Sequence, residues 1–168
     1  MRVADWPFVL TLRPPQLSDA DALVAACQDP EIPRWTGVPS PLAHEHAVEW
    51  IQRSSPTVEA YLGFEDGVLV GSFSLLEIDV DAGYAEIGYW VAKDARGRGV
   101  ATRAVAWLRE RGAQLGLTTF ELLVHEDNAA SQGVARRAGF EDTGERRPAP
   151  RVEPVTPPNH IVYRRKDA

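Results

Sequence analysis

The residues best suited to chemistry lie between Glu86 and Thr102. Glu86-Ile87-Gly88-Tyr89-Trp90-Val91 reads as a strand. Arg96-Gly97-Arg98-Gly99-Val100-Ala101-Thr102 reads as a tight, arginine-crowded turn that runs into a helix. Such a turn aims several backbone N–H groups at one point. The helix dipole adds partial positive charge there, and glycine lets a ligand approach the backbone. That is the chemistry of a pyrophosphate cradle. A Walker-type loop is disfavoured, because no Lys-Ser or Lys-Thr follows Gly99. The dinucleotide fingerprint is disfavoured too: Thr102 stands where its third glycine belongs, and Glu126 and Asp127 lie beyond the usual spacing of its acidic residue. The turn also follows what reads as an antiparallel meander rather than the first strand of a parallel sheet.

The charge pattern points the same way. The 168-residue chain carries 18 Lys+Arg against 24 Asp+Glu, a formal net charge of −6, which argues against a nucleic-acid surface. Locally the balance reverses. Lys93, Arg96, Arg98, Arg103, Arg109 and Arg111 face only Asp94 and Glu110 in that stretch. A basic cluster on an acidic chain suggests a discrete anion. The alternative for Arg103, Arg109 and Arg111 is a solvated charged helix face. One cysteine, Cys27, rules out an internal disulfide and reads as a small core residue. Residues 1–12 lack a signal-peptide pattern and no apolar run reaches membrane-spanning length, so a soluble cytoplasmic protein is expected.

Hydrophobic periodicity supplies the elements that must position the turn. Strands are expected at 9–13, 59–65, 69–78, 84–91, 117–124, from 141 to 147, and at 161–165. Helices are expected from the Ser18-Asp19 cap to about residue 28, and at 42–53, 102–115 and 128–138. Residues 32–41 and 148–158 read as proline-rich loops, the second a candidate flap. Short turns join the strands from 59 to 91, and Glu65-Asp66-Gly67 is a hairpin signal. The expectation is an α+β fold: one domain over 1–168, with a single mixed, mainly antiparallel, twisted sheet flanked by helices. The helices before residue 59 should cover one sheet edge, where substrate selection takes place.

Arg96-x-x-Gly99-x-Ala101 also resembles the [QR]-x-x-G-x-[GA] motif of the GNAT N-acetyltransferases, which bind acetyl-CoA. The likeness extends to Ala85-Glu86-Ile87-Gly88-Tyr89-Trp90-Val91, to Asn128-Ala129-Ala130-Ser131, and to Ala138-Gly139-Phe140. The branch it is most similar to is the RimJ/RimL-like one, which acetylates protein N-terminal amines and includes enzymes for other amines. The resemblance implies that strands 84–91 and 117–124 are parallel neighbours that splay apart to admit the pantetheine arm of acetyl-CoA. The backbone of Tyr89, Trp90 and Val91 would bond that arm. The amides of Gly97, Arg98, Gly99, Val100, Ala101 and Thr102 would hold the pyrophosphate, with Arg96 or Arg98 adding charge-assisted contacts. Asn128 would approach the pantetheine besides capping its helix.

Acyl transfer to an amine needs a neutral nucleophile, a polarised carbonyl and a stabilised leaving thiolate. Strand alternation puts Glu86 on one face with Tyr84, Gly88 and Trp90, opposite Ala85, Ile87, Tyr89 and Val91. A glutamate on a central strand suggests a polar cleft, so Glu86 is the candidate base or substrate ligand, the alternative being a structural carboxylate. Glu121 and His125 are the reserve bases. Many family members place a tyrosine near the leaving sulfur; Ala135 occupies that position here, and the resemblance makes Ser131 the substitute donor. Arg136 and Arg137 could reach the nucleotide end of CoA or face solvent. Trp35 and Trp50 are expected at the substrate cleft or in the core. His44-x-His46 cannot share a helix face, so no metal is expected. The acceptor would be a protein N-terminus or a small-molecule amine, with neither nucleic acid nor membrane as partner, on a monomer or homodimer. A non-catalytic acyl-CoA sensor is the rival expectation.

Overall fold

The computed structural model describes residues 9–148 and 159–167; the expected flap falls almost entirely outside the described residues. Seven strands form one sheet: β1 (Thr11–Arg13), β2 (Glu59–Glu65), β3 (Val68–Asp79), β4 (Tyr84–Val91), β5 (Thr119–His125), β6 (Glu141–Arg147) and β7 (His160–Lys166). Their order is β1-β2-β3-β4-β5-β7-β6. All neighbours are antiparallel except β4 and β5. A parallel pair needs a crossover, and α4 (Val100–Gln114) supplies it.

Side-chain alternation sorts the sheet into two faces. Phe73, Leu75, Ala85, Ile87, Phe120 and Leu122 bury one face against Ala104, Val105 and Leu108 of α4. Val134 and Ala135 of α5 (Ala129–Arg137) join that core. On the other face, Leu62 and Leu69 pack against Leu23, Cys27, Ile32 and Ala47. These come from α1 (Ala20–Ala26), α2 (Glu31–Trp35), α3 (His44–Gln52) and their connections. Cys27 is buried, and burial pushes its thiol up to about 11, which suits a packing role.

Two expectations change. Residues 32–41 are not all loop, because α2 occupies Glu31–Trp35. Pro33 is tolerated in its first turn, where the missing N–H would have had no helical partner. The crossover helix begins at Val100, two residues before the expected start, because Gly99 itself takes the N-cap place.

An ion pair ties β1 to the helical segment. Arg13 donates to both carboxylate oxygens of buried Asp19, at 2.8 and 2.7 Å, and the Gln16 N–H donates to Asp19 at 2.7 Å. The Arg13 hydrogen bonds hold the Asp19 carboxyl below its usual value. Its contribution is therefore complete above the unfolded-state pKa, near 4, and is lost as pH falls through that value toward the folded one. Arg13 keeps 33% of its side chain exposed, so the expected cost of Asp19→Asn at pH 7 is only about 1–2 kcal/mol. Urea melts should show the gap from wild type closing below about pH 4.

Candidate active site

The site begins where β4 and β5 part. Their pairing runs Tyr84↔Thr119, Ala85↔Phe120 and Glu86↔Glu121, and then stops. Beyond it, β4 continues to Val91 and β5 to His125. On its other edge β4 remains paired with β3 as far as Val91↔Gly71. The Ala92 N–H bonds the Val70 carbonyl at 2.9 Å, so by alternation the backbone of Trp90 also faces β3. Tyr89 and Val91 aim their backbone groups the other way, toward the gap, beyond the last β4–β5 pair. Of the three residues expected to offer backbone contacts, Tyr89 and Val91 turn theirs toward the gap, the Val91 carbonyl already accepting from Arg96, while Trp90 turns its backbone to β3 and its indole to the N-terminal cluster.

A cleft of ≈ 1290 Å³ passes through this gap. Glu86, Trp90, Trp35 and His125 line it on the side of the N-terminal helices; Tyr89, Asn128 and Ser131 line it on the α4–α5 side. The glycine turn closes one end. Gly97 and Gly99 have φ of 73° and 74°, and nothing lies within 4 Å of a Cβ built on either. The first intrahelical bond of α4 is Arg103 N–H to the Gly99 carbonyl, 3.1 Å. The N–H groups of Val100, Ala101 and Thr102 precede it and lack helical acceptors. Val100 and Ala101 bury their side chains in the core, which fixes this turn in front of the cleft. An extended chain with amide groups fits the unpaired β4 edge, and a pyrophosphate fits the helix start.

The arginines are less available than their spacing suggests. Arg96 pairs with Asp29 at 2.6 Å and donates to the Val91 carbonyl at 3.1 Å. Arg98 and Arg103 share buried Glu65. Two guanidinium groups on one carboxylate leave positive charge beside the turn, but their first role is to brace it. Arg109 pairs with Asp167 and Arg111 with Glu59, so neither is a solvated face and neither lines the cleft. Carboxylates distant in sequence thus neutralise much of the local basic cluster.

Glu86 is buried, at 7% exposure, and faces the cleft as alternation requires. Glu121, its neighbour across the parallel pair, is committed elsewhere. It accepts from Tyr84 Oη (3.0 Å), Arg147 (2.8 Å) and Arg164 Nε (2.7 Å) and is 1% exposed. Burial, reinforced by Glu121, pushes the Tyr84 phenol up to about 12. As a reserve base Glu121 therefore has little to offer, whereas His125 stays at the cleft. Its Nδ1 accepts the Asp127 N–H at 3.1 Å, and its Nε2 lies 3.0 Å from Asn159. The Trp35 ring sits 5.4 Å from the His125 ring, and its Nε1–H bonds Glu31 at 3.1 Å.

Asn128 caps α5 by accepting the Ser131 N–H at 3.0 Å. The Ser131 hydroxyl lies 2.7 Å from the Tyr89 hydroxyl. A tyrosine therefore does reach this corner, from β4 rather than from α5, where Ala135 is fully buried. No helical spacing could reveal it, because the two residues meet only across the sheet–helix interface. Arg137 lines the cleft, while exposed Arg136 bonds Gln132. His44 pairs with Asp21, and His46 accepts from the Ala43 N–H, so the two histidines diverge. Among the described residues, no cluster of His, Cys, Asp or Glu is suited to a metal, and no helix is long and apolar enough to cross a membrane.

Residues 9–141 match the family model described as Acetyltransferase (GNAT) domain, and the chain belongs to that family. It is 29% identical to the uncharacterized N-acetyltransferase p20 of Bacillus licheniformis over 80% of both chains. It is 35% identical to the ribosomal-protein-serine acetyltransferase of Escherichia coli K12 over 81 residues, 48% of this chain and 45% of that one. Among solved structures it superposes on the microcin C7 self-immunity acetyltransferase MccE, in complex with acetyl-CoA and AMP. That match has a TM-score of 0.83 at 23% identity over 94% and 92% of the two chains. RimL, a ribosomal L7/L12 α-N-protein acetyltransferase in complex with CoA, gives 0.80 at 23% identity, over 94% of each chain. The single mixed sheet flanked by helices is the family's fold.

Proposed function

We propose that this protein is an acetyl-CoA-dependent N-acetyltransferase, one catalytic domain over 1–168 that passes acetyl directly to a bound primary amine. The observation that carries the proposal is the parting of β4 and β5 after Glu86↔Glu121, directly beside the α4 N-terminus. Glu86 lies on one side of that gap and Ser131 on the other. Direct transfer needs this arrangement: the base must approach the amine from one side while the sulfur leaves toward the other.

Each residue has a definite task. The edge groups of Tyr89 and Val91 align the pantetheine arm, which brings the thioester when bound. The Gly97–Thr102 amides hold its pyrophosphate, and Arg96 and Arg98 keep the turn in shape. Glu86 takes the proton from the incoming amine. An α-amino group, with a pKa near 8, gives it up far more readily than a lysine-like amine. Ser131 donates a hydrogen bond to the leaving sulfur. Trp35 and Glu86 border the acceptor. A protein N-terminus or a small amine is supported as acceptor by the relatives' own descriptions: ribosomal protein serine for one, and spermidine for a Vibrio cholerae enzyme with CoA and spermine bound. We place the protein in the cytoplasm, as a monomer or homodimer.

The test is thiol release from acetyl-CoA against N-terminal peptides, polyamines, aminoglycosides and amino acids. Turnover with one acceptor class is expected. Tight calorimetric binding of acetyl-CoA with no turnover across the panel would favour the sensor reading instead.

A further inference from the structure

The 2.7 Å contact between the hydroxyls of Tyr89 and Ser131 has a preferred direction. A phenol, with an ordinary pKa near 10, is a much stronger acid and donor than an aliphatic hydroxyl. Its oxygen is the poorer acceptor, because its lone pairs are shared with the ring. Tyr89 therefore donates and Ser131 Oγ accepts. The backbone N–H of Ser131 is already taken by Asn128 Oδ1. What remains at Ser131 is its own hydroxyl proton, turned away from Tyr89 on a side chain that lines the cleft.

We propose that Tyr89 is a positioning residue, whose phenol donates to Ser131 and thereby aims the serine proton at the sulfur that leaves during acetyl transfer. The proposal rests on the acetyltransferase reading and deepens it. Burial pushes the Tyr89 phenol up to about 12, so the donor stays protonated over any working pH. The same fact bars the pair from acting as a full acid, since an ordinary thiol has a pKa of only about 8.5. The pair stabilises charge without surrendering a proton. The N–C bond forms, the C–S bond breaks, and its electron pair goes to sulfur. The proton shed by the nitrogen passes by Glu86 and solvent to that sulfur. Both hydroxyls end as they began.

The tyrosine ring has a packing role as well, stacked 6.3 Å from Phe73, so Tyr89→Phe preserves the ring and removes only the hydroxyl. The first measurement needs no turnover. Calorimetric affinities for CoA and desulfo-CoA are compared at pH 7 and pH 9 for wild type, Tyr89→Phe, Ser131→Ala and the double variant, with melting curves to verify folding. A hydrogen bond to a charged group should make wild type prefer CoA by about tenfold to a hundredfold at pH 9, and by less at pH 7. Each single variant should lose most of that preference while binding desulfo-CoA as wild type does. The double variant should lose no more than Ser131→Ala alone, since the phenol acts only through the serine. Three results would each overturn the proposal: no preference in wild type, full preference in Tyr89→Phe, or multiplying losses in the double variant. An equal loss of both ligands in Tyr89→Phe would mark a packing role only, and would overturn it too. Where an acceptor is known, Tyr89→Phe should lower kcat about tenfold with the KM for acetyl-CoA unchanged. If no acceptor reacts, the acetyltransferase reading fails in the thiol-release assay while the binding comparison still decides the role of Tyr89.

Discussion

Glu86→Gln lowers kcat/KM by about a hundredfold or more at pH 7, within the range for loss of a positioned general base. The substitution keeps volume and shape at a buried position, so the melting temperature should change little. Affinity for acetyl-CoA should also hold, because the Glu86 side chain lines the cleft on the side of the N-terminal helices, whereas the turn and the β4 edge are the groups proposed to hold the cofactor. The defect should depend on pH in one direction. At low pH the amine arrives as an ammonium and needs the carboxylate. As pH rises toward the pKa of the amine, the neutral form binds directly and the variant recovers relative to wild type. A rate–pH profile for both proteins, with a peptide acceptor, tests this. A defect that stays constant across pH would assign Glu86 to substrate positioning, and an unchanged rate at pH 7 would remove it from the mechanism. Glu121→Gln is the contrasting case. It strips a buried partner from Arg147, Arg164 and Tyr84, so its effect should fall mainly on stability.

The second large effect is expected at Gly99. Its φ of 74° lies in the left-handed region, and its Cβ direction opens onto space empty of protein atoms within 4 Å. Gly99→Trp therefore starts from an unobstructed Cβ and puts an indole into the cleft that Val100, Ala101 and Thr102 also line. Affinity for CoA should fall by more than about a hundredfold, since an indole there denies the pyrophosphate its backbone donors. Gly99→Ala controls for backbone strain, which costs about 1 kcal/mol in either variant. Both should melt slightly earlier than wild type, and the alanine variant should keep much more of the CoA affinity. Calorimetry with CoA decides it. A tryptophan variant that binds CoA as wild type does would place the pyrophosphate elsewhere.

Several parts of this design were legible in the residue order because they are local. Alternation along Tyr84–Val91 put Glu86 and Tyr89 on opposite faces, and the cleft lies against both. The Arg96–Thr102 turn showed its glycines, and Asn128 its capping role. Short connections predicted the β2–β3–β4 meander, helical spacing the helix after it, and the family resemblance the parallel pairing of β5 with β4. Each follows from the chirality and periodicity of a short backbone segment, which neighbouring residues decide.

Other parts belong to the tertiary structure alone. Arg96 and Arg98 looked like ligands for an anion, yet Asp29 and Glu65 claim them from the N-terminal half of the chain. Glu121 looked like a spare base until Arg147 and Arg164 closed around it. Ala135 left α5 without a tyrosine, while Tyr89 of β4, 42 positions before Ser131, brings a phenol to the Ser131 hydroxyl. In each case the partner is distant in sequence, and side-chain charge and hydroxyl chemistry act over a few ångströms of space. The order of residues determined the glycine turn, the two-faced strand and the fold class, because backbone geometry is local. Only the folded chain decided which arginines, carboxylates and hydroxyls were left to act, because that depends on where distant segments meet.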